Sequence, residues 1–270
     1  MNDQKKSTWL RSTLRRFDQV QRRLRFRIAA SPINPWAFPT LDASIFIGKS
    51  VVIVGPAKTV VDDIGKLNLD EYDVVVRLNN GIALAEHANP ALGTRTDILF
   101  HNLTEQGERS AGAIPLSLLE QKEVRFLVFP HWGFKGSKTR LYKKREELRY
   151  SNVTKIVVLP TKFCEQIRQQ LDGNQPTVGT SAMLFFLTAE CKEVAIHGFT
   201  FFETPYLAGY NDAIKTRIHA QAWAEKSQVH DPGKEKVLVA KYVSEARSRG
   251  RLITLGKNVR KTLFGEAADL

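Results

Sequence analysis

The feature that most restricts this chain is a series of seven short, almost unbroken apolar runs. They are "SVVIVG" (50–55), "YDVVVRLN" (72–79), "TDILFHN" (96–102), "VRFLVFP" (124–130), "TKIVVLP" (154–160), "EVAIHGF" (193–199) and "RLITLG" (251–256). Runs of this length, rich in Val and Ile, read as strands buried on both faces, because a half-exposed strand would alternate polar and apolar residues. Between them lie helical stretches near 58–67, 114–122, 138–149, 162–171, 180–190, 212–227 and 234–248. Strand and helix in alternation predict one doubly wound, mostly parallel, Rossmann-like α/β domain over 45–270, with helices on both faces. Ligands of such sheets bind beyond the carboxyl ends of the strands. Chemistry is therefore sought there.

Composition closes off other classes. Of 270 residues, 43% are hydrophobic and 25% charged, as in an ordinary globular domain. No apolar stretch is long enough to span a bilayer, and the start lacks the apolar core of a secretory signal. The two cysteines, Cys164 and Cys191, make neither a disulfide framework nor a cysteine-rich zinc site, which suits a reducing, cytoplasmic setting. The net charge is +12, of which residues 1–28 carry +7. There Leu10, Leu14, Phe17, Leu24 and Ile28 recur at helical steps among seven arginines, giving a basic amphipathic arm. Such an arm packs on its own domain or, through residues 5–28, on the anionic inner face of a membrane. Nucleic acid is not expected, since stacking aromatics do not interleave with the arginines. Residues 29–44, "AASPINPWAFPTLDAS", read as a Pro-rich linker that completes the arm, 1–44. The charged segment 131–150 fits either a solvated face or a mobile lid near the acceptor.

Several chemistries lack their signatures. There is no GxxxxGK[ST], GxGxxG or GxSxG, no Asp-x-Asp and no HxxxH spacing, so no metal or resident cofactor is expected.

What remains stands at strand ends. In "VVIVGPAKT", Gly55 is followed by Pro56, Ala57 and Lys58 at a helix start, where free N–H groups suit a phosphate. In "DVVVRLNNG", Arg77 and Asn79 share one side if the strand is extended, and Asn102 ends the next run. In "QPTVGTSAMLFFL", Pro176 and Gly179 shape a loop and Thr180 or Ser181 caps a wholly apolar helix. Each of these also fits a purely structural turn, salt bridge or cap. "QVHDPGKEKVLV" places His230 just before a helix capped by Asp231 with Pro232 at its first position. The positive end of that helix disfavours imidazolium and keeps the ring neutral, as a base requires. Glu235 in the first turn is near enough to orient it.

Together these segments resemble the eukaryotic-type sialyltransferase family, whose members transfer sugars from CMP-linked donors. "VVIVGPAKTVVDDIGKLNLDEYDVVVRLNNG" and "GTRTDILFHN" resemble its long motif, "PTVGTSAMLFFLTAECKEVAIHGF" its short motif, and "HDPGKE" its very short His-x4-Glu motif. The resemblance implies a GT-A-like variant of the parallel sheet and an inverting, metal-independent transfer. The donor would be CMP-sialic acid or CMP-Kdo, the acceptor a hydroxyl of a glycan or a lipid-linked glycan. It implies His230 as base with Glu235. It also implies donor contacts from Gly55, Pro56, Ala57, Lys58, Arg77, Asn79, Asn102, Thr177, Gly179, Thr180, Gly198 and Phe199. Departures are plain. Pro56 and Ala57 stand where the family has Asn and Ser, and Val178 replaces a hydroxyl residue. Val51 stands where the family pairs a cysteine with the one matching Cys191, so that disulfide cannot form. The family's His-Tyr motif is missing, and Tyr206, Tyr210 or His219 are its substitutes for acceptor or phosphate contact. The alternatives are a nucleotide-binding α/β protein with a degenerate site, and a membrane or nucleic-acid adaptor working through the arm.

Overall fold

The computed structural model describes residues 38–265, apart from 88–89, 108–109, 133–136 and 227–228. The basic arm and most of the Pro-rich stretch lie outside the described residues. All seven apolar runs form strands: β1 (Ser50–Val54), β2 (Val74–Leu78), β3 (Ile98–Phe100), β4 (Phe126–Phe129), β5 (Lys155–Val158), β6 (Glu193–His197) and β7 (Leu252–Leu255). They make one parallel sheet in the order β5-β4-β3-β2-β1-β6-β7. The unbroken apolar pattern has its cause here, since every residue of β2 is buried. Strand order grows away from β1 in one direction through β5, then restarts on its other side at β6. That reversal is the topological switch point.

The helices among the described residues are α1 (Val60–Ile64), α2 (Gly81–His87), α3 (Leu116–Gln121), α4 (Ser137–Glu147), α5 (Thr161–Gln170), α6 (Val178–Thr188), α7 (Arg217–Lys226), α8 (Pro232–Ser248) and α9 (Lys257–Phe264). On one face of the sheet, Val51, Ile53, Val76 and Ile196 pack with Phe185 and Phe186 of α6 and Val239 and Val243 of α8. On the other, Val52, Val54 and Val75 pack with Val60 and Ile64 of α1, and Leu99, Leu127 and Phe129 with Leu119 of α3 and Leu141 of α4. α6 has no polar face because it lies between the sheet and α8, buried from Val178 through Leu187 except at Gly179.

Pro39-Thr40-Leu41 runs along the edge strand. Leu41 N–H donates to Val158 O (2.8 Å) and Val158 N–H donates to Pro39 O (3.0 Å), which covers an edge otherwise open to strand addition. From the charged segment 131–150, α4 buries Lys144 between Glu105 (2.8 Å) and Glu147 (2.6 Å). Both cysteines are free thiols; burial pushes Cys164 up to about 12 and Cys191 up to about 11. No helix of the described residues is long and apolar enough to cross a membrane.

Candidate active site

At the switch point the ends of β1 and β6 nearly touch. A Cβ on Gly55 would lie 2.2 Å from Gly198 O, so only glycine fits. Gly198 itself has φ 75, open to glycine at little cost. Beyond these residues the chains diverge. Ala57 N–H donates to Gly198 O (3.0 Å), and the returning segment 205–207 covers the loop through Lys58 N–H to Pro205 O (2.9 Å) and Leu207 N–H to Pro56 O (2.8 Å). A crevice is left between them. Pro56 and Ala57 from the first segment line it, with Asn79 from the β2 end. The opposite wall is Thr177, Gly179 and Thr180 at the start of α6, and the roof is Gly198, Phe199, Tyr206 and Tyr210.

Five residues expected there do not line the crevice; Gly55 is buried beneath, packed against Gly198, and the other four stand elsewhere. Lys58 is exposed and His219 is an exposed residue of α7. Arg77 is buried on the far side of its strand, where Nη2 donates to Leu92 O (2.5 Å) and Nε to Arg95 O (2.9 Å). The expectation that Arg77 and Asn79 share a side fails because Asn79 has φ 47 and leaves the extended conformation. Asn102 is tied beside the cleft, not on its wall: its N–H donates to Asn79 Oδ1 (3.2 Å) and its own Oδ1 accepts from Thr104 N–H (2.8 Å). The helix cap also differs. Thr177, not Thr180 or Ser181, caps α6, accepting from Thr180 N–H at 3.2 Å.

Behind that wall lies a buried carboxylate. Glu235 Oε2 accepts from Thr177 N–H (3.0 Å), from the Thr177 hydroxyl (2.7 Å) and from the Thr180 hydroxyl. Burial pushes its pKa up to about 7, against the lowering effect of those donors. Its Oε1 is buried without a hydrogen-bond partner and lies 3.8 Å from His230 Nδ1. Nδ1 is 2.6 Å from Gln175 O; a carbonyl only accepts, so Nδ1 carries the proton and the neutral ring keeps its lone pair at Nε2. α8 begins as expected, with Asp231 capping Lys234 N–H at 3.0 Å and Pro232 in the first turn. His230 is half-buried and stands one residue back from the cleft, reaching its wall through Glu235.

Sequence reasoning missed three parts. His131, at the end of β4, has Nε2 3.0 Å from Pro176 O and its ring 6.2 Å from that of His230. Burial, reinforced by His230, lowers its pKa to about 3. The two imidazoles thus hold consecutive carbonyls, Gln175 and Pro176, just ahead of Thr177. Asp63 of α1 accepts from Gly198 N–H (2.9 Å) and from Asn258 N–H (2.6 Å), fixing the β6 end against α9. Thr200, Phe201, Phe202 and Thr204 extend the cleft lining. His131 was hidden in a charged segment, and Asp63 gives no local signal at all.

A crevice at the switch point of a parallel sheet, walled by a helix N-terminus and hydroxyls, is where ligands of doubly wound α/β proteins bind. The model of glycosyltransferase family 29 (sialyltransferase) matches residues 61–246, and the chain belongs to that family of glycosyltransferases. No curated protein matches it in sequence. A mammalian sialyltransferase in complex with Gal-beta-1-3GalNAc-ortho-nitrophenol is similar over 89% of this chain and 85% of its own, at 18% identity and a TM-score of 0.51. The monofunctional alpha-2,3-sialyltransferase Cst-I from Campylobacter jejuni is similar over 80% of each chain, at 13% identity and 0.50. Monomeric CstII covers 82% of this chain and 87% of its own, at 16% identity and 0.50. At these identities the likeness speaks for the fold.

Proposed function

We propose that this chain moves a sialic acid or Kdo-type ulosonic acid from a CMP-linked donor to a hydroxyl of a glycan or glycolipid, with inversion and without a metal. One observation carries the reading: Pro56 and Ala57, Asn79, Thr177–Thr180 and Gly198 line a single cleft, and its Thr177 wall is bonded to Glu235 beside His230.

The nucleotide lies in the cleft with its phosphate toward the first turn of α6, where N–H groups and the helix dipole favour an anion. Lys58 and Arg77 stand away from the cleft, so neutral donors carry this task. Tyr206 and Tyr210 are suited to it, because burial raises both phenols and keeps them protonated. His230 Nε2 takes the proton of the acceptor hydroxyl as that oxygen bonds to the anomeric carbon. The bond from that carbon to the phosphate oxygen breaks on the opposite side, and CMP leaves with the electron pair. A single displacement inverts the centre. Ionised Glu235, 3.8 Å from Nδ1, steadies the imidazolium.

General-base catalysis contributes about 10²–10⁴-fold. His230→Ala should therefore lose at least about tens-fold in turnover while keeping the thermal shift that CMP induces. Undiminished turnover rejects the role of His230, and a wild-type chain indifferent to CMP rejects the donor. The free thiols and the basic arm support a cytoplasmic site of action, peripheral to the inner face of the membrane, on lipid-linked acceptors.

A further inference from the structure

The chain leaves β6 through Thr200-Phe201-Phe202-Glu203-Thr204. Phe201 and Phe202 have φ 47 and 66, and Glu203 N–H donates to Thr200 O at 2.8 Å. Two consecutive left-handed residues closed by that bond have the form of a type I′ turn, a shape that strongly prefers Asn-Gly. Bulky side chains are strained in it. Nothing in the local sequence favours such a turn, so its surroundings enforce it. The Thr200 and Thr204 hydroxyls bond at 2.7 Å, Lys236 of α8 grips Glu203 at 2.9 Å, and Ala57 bridges Tyr206 just beyond. The clasp therefore joins the turn to the helix that carries Glu235.

Both phenylalanines line the cleft. Phe201 also packs on the main core, whereas Phe202 rests against Tyr206 with ring centroids 6.2 Å apart. A turn relaxed by Asn-Gly would present no ring. Strain kept at the rim of a ligand cleft, and held by three separate contacts, points to a ligand that needs those rings.

We infer that the Phe201–Phe202 turn is the stacking face for the flat base of the nucleotide, with Phe202 the residue that sets base affinity. This rests on the CMP-donor reading. An aromatic face is worth about ten- to a hundred-fold in affinity for a stacked base.

The test uses the full chain and measures Kd by calorimetry for CMP and for ribose 5-phosphate, which lacks a base. Phe202→Gly, free to adopt the positive φ, should keep or raise Tm while weakening CMP at least about ten-fold and leaving ribose 5-phosphate unchanged. Phe202→Tyr should restore CMP affinity. Wild-type CMP affinity in Phe202→Gly overturns the inference and leaves the donor reading standing. Equal losses for both ligands also overturn it, because the residue then acts through the fold. A wild-type chain that binds no CMP overturns the donor reading and this inference together.

Discussion

Glu235 is a buried carboxylate whose two oxygens live differently: Oε2 gathers three donors from Thr177 and Thr180, and Oε1 has no hydrogen-bond partner. Its folded pKa, about 7, lies above the ordinary carboxylate value of 4.5, so the folded state favours the protonated form. The stability this gives is fully present below about 4.5 and fades as pH rises through about 7. His131 and His101 run the other way. Burial holds them near 3 and 4, below the ordinary 6.5, so their contribution is present above about 6.5 and is lost as pH falls. Glu235→Gln keeps the shape and removes only the first dependence. Calorimetric Tm against pH should fall less steeply for the variant on the way from acid to mild alkali, with the acid limb shared. Parallel curves would refute the assignment. Turnover should also drop several-fold, since an amide does not steady an imidazolium. The histidine and its capped helix were legible, because Asp231-Pro232 is a local signal and local signals survive folding. Arg77 was misplaced because a single left-handed residue, Asn79, breaks the alternation on which side-chain reasoning depends.

Elements are held to one another by a few long-range bonds. Asp63 in α1 serves β6 and α9 at once, through Gly198 N–H and both the backbone and side-chain nitrogens of Asn258. Asp63→Ala strips the partner from the buried Gly198 N–H, at a cost of about 1–3 kcal/mol, and loosens the part-buried Asn258. Denaturant unfolding should show that loss, and CMP should bind more weakly because Gly198 is no longer fixed. Unaltered stability would mean that the helix docks by apolar contact alone. The strands were all visible from sequence, since burial on both faces writes itself as continuous Val and Ile. α2 was hidden by Asn79-Asn80-Gly81, which reads as a turn. α9 was hidden because its capping carboxylate comes from a residue far back in the chain. The Phe201–Phe202 turn contains none of the residues by which turns are recognised, and its cause lies in Lys236, Thr204 and Ala57.

At the scale of the molecule, charge and topology separate. The strand-end motifs converge because the strand order reverses between β1 and β6, and the spacing of motifs in sequence carried that convergence without naming the walls of the cleft. The positive charge gathers elsewhere: exposed Arg145, Arg149 and Lys155 flank Pro39, near where the described chain begins and the +7 segment precedes it. Each basic residue near an anionic bilayer adds about 1 kcal/mol. The full chain should sediment with phosphatidylglycerol vesicles and not with phosphatidylcholine alone. High salt should release it, as the screening length shrinks to about 3 Å at 1 M. Equal recovery from both kinds of vesicle would leave the arm to a role within the protein. The two sulfhydryl groups carry a practical corollary. Cys191 is buried, Cys164 is half-buried, and both are slow to ionise, so a cysteine engineered at the exposed cleft rim would be the favoured point of attachment for a fluorescent reporter of donor entry.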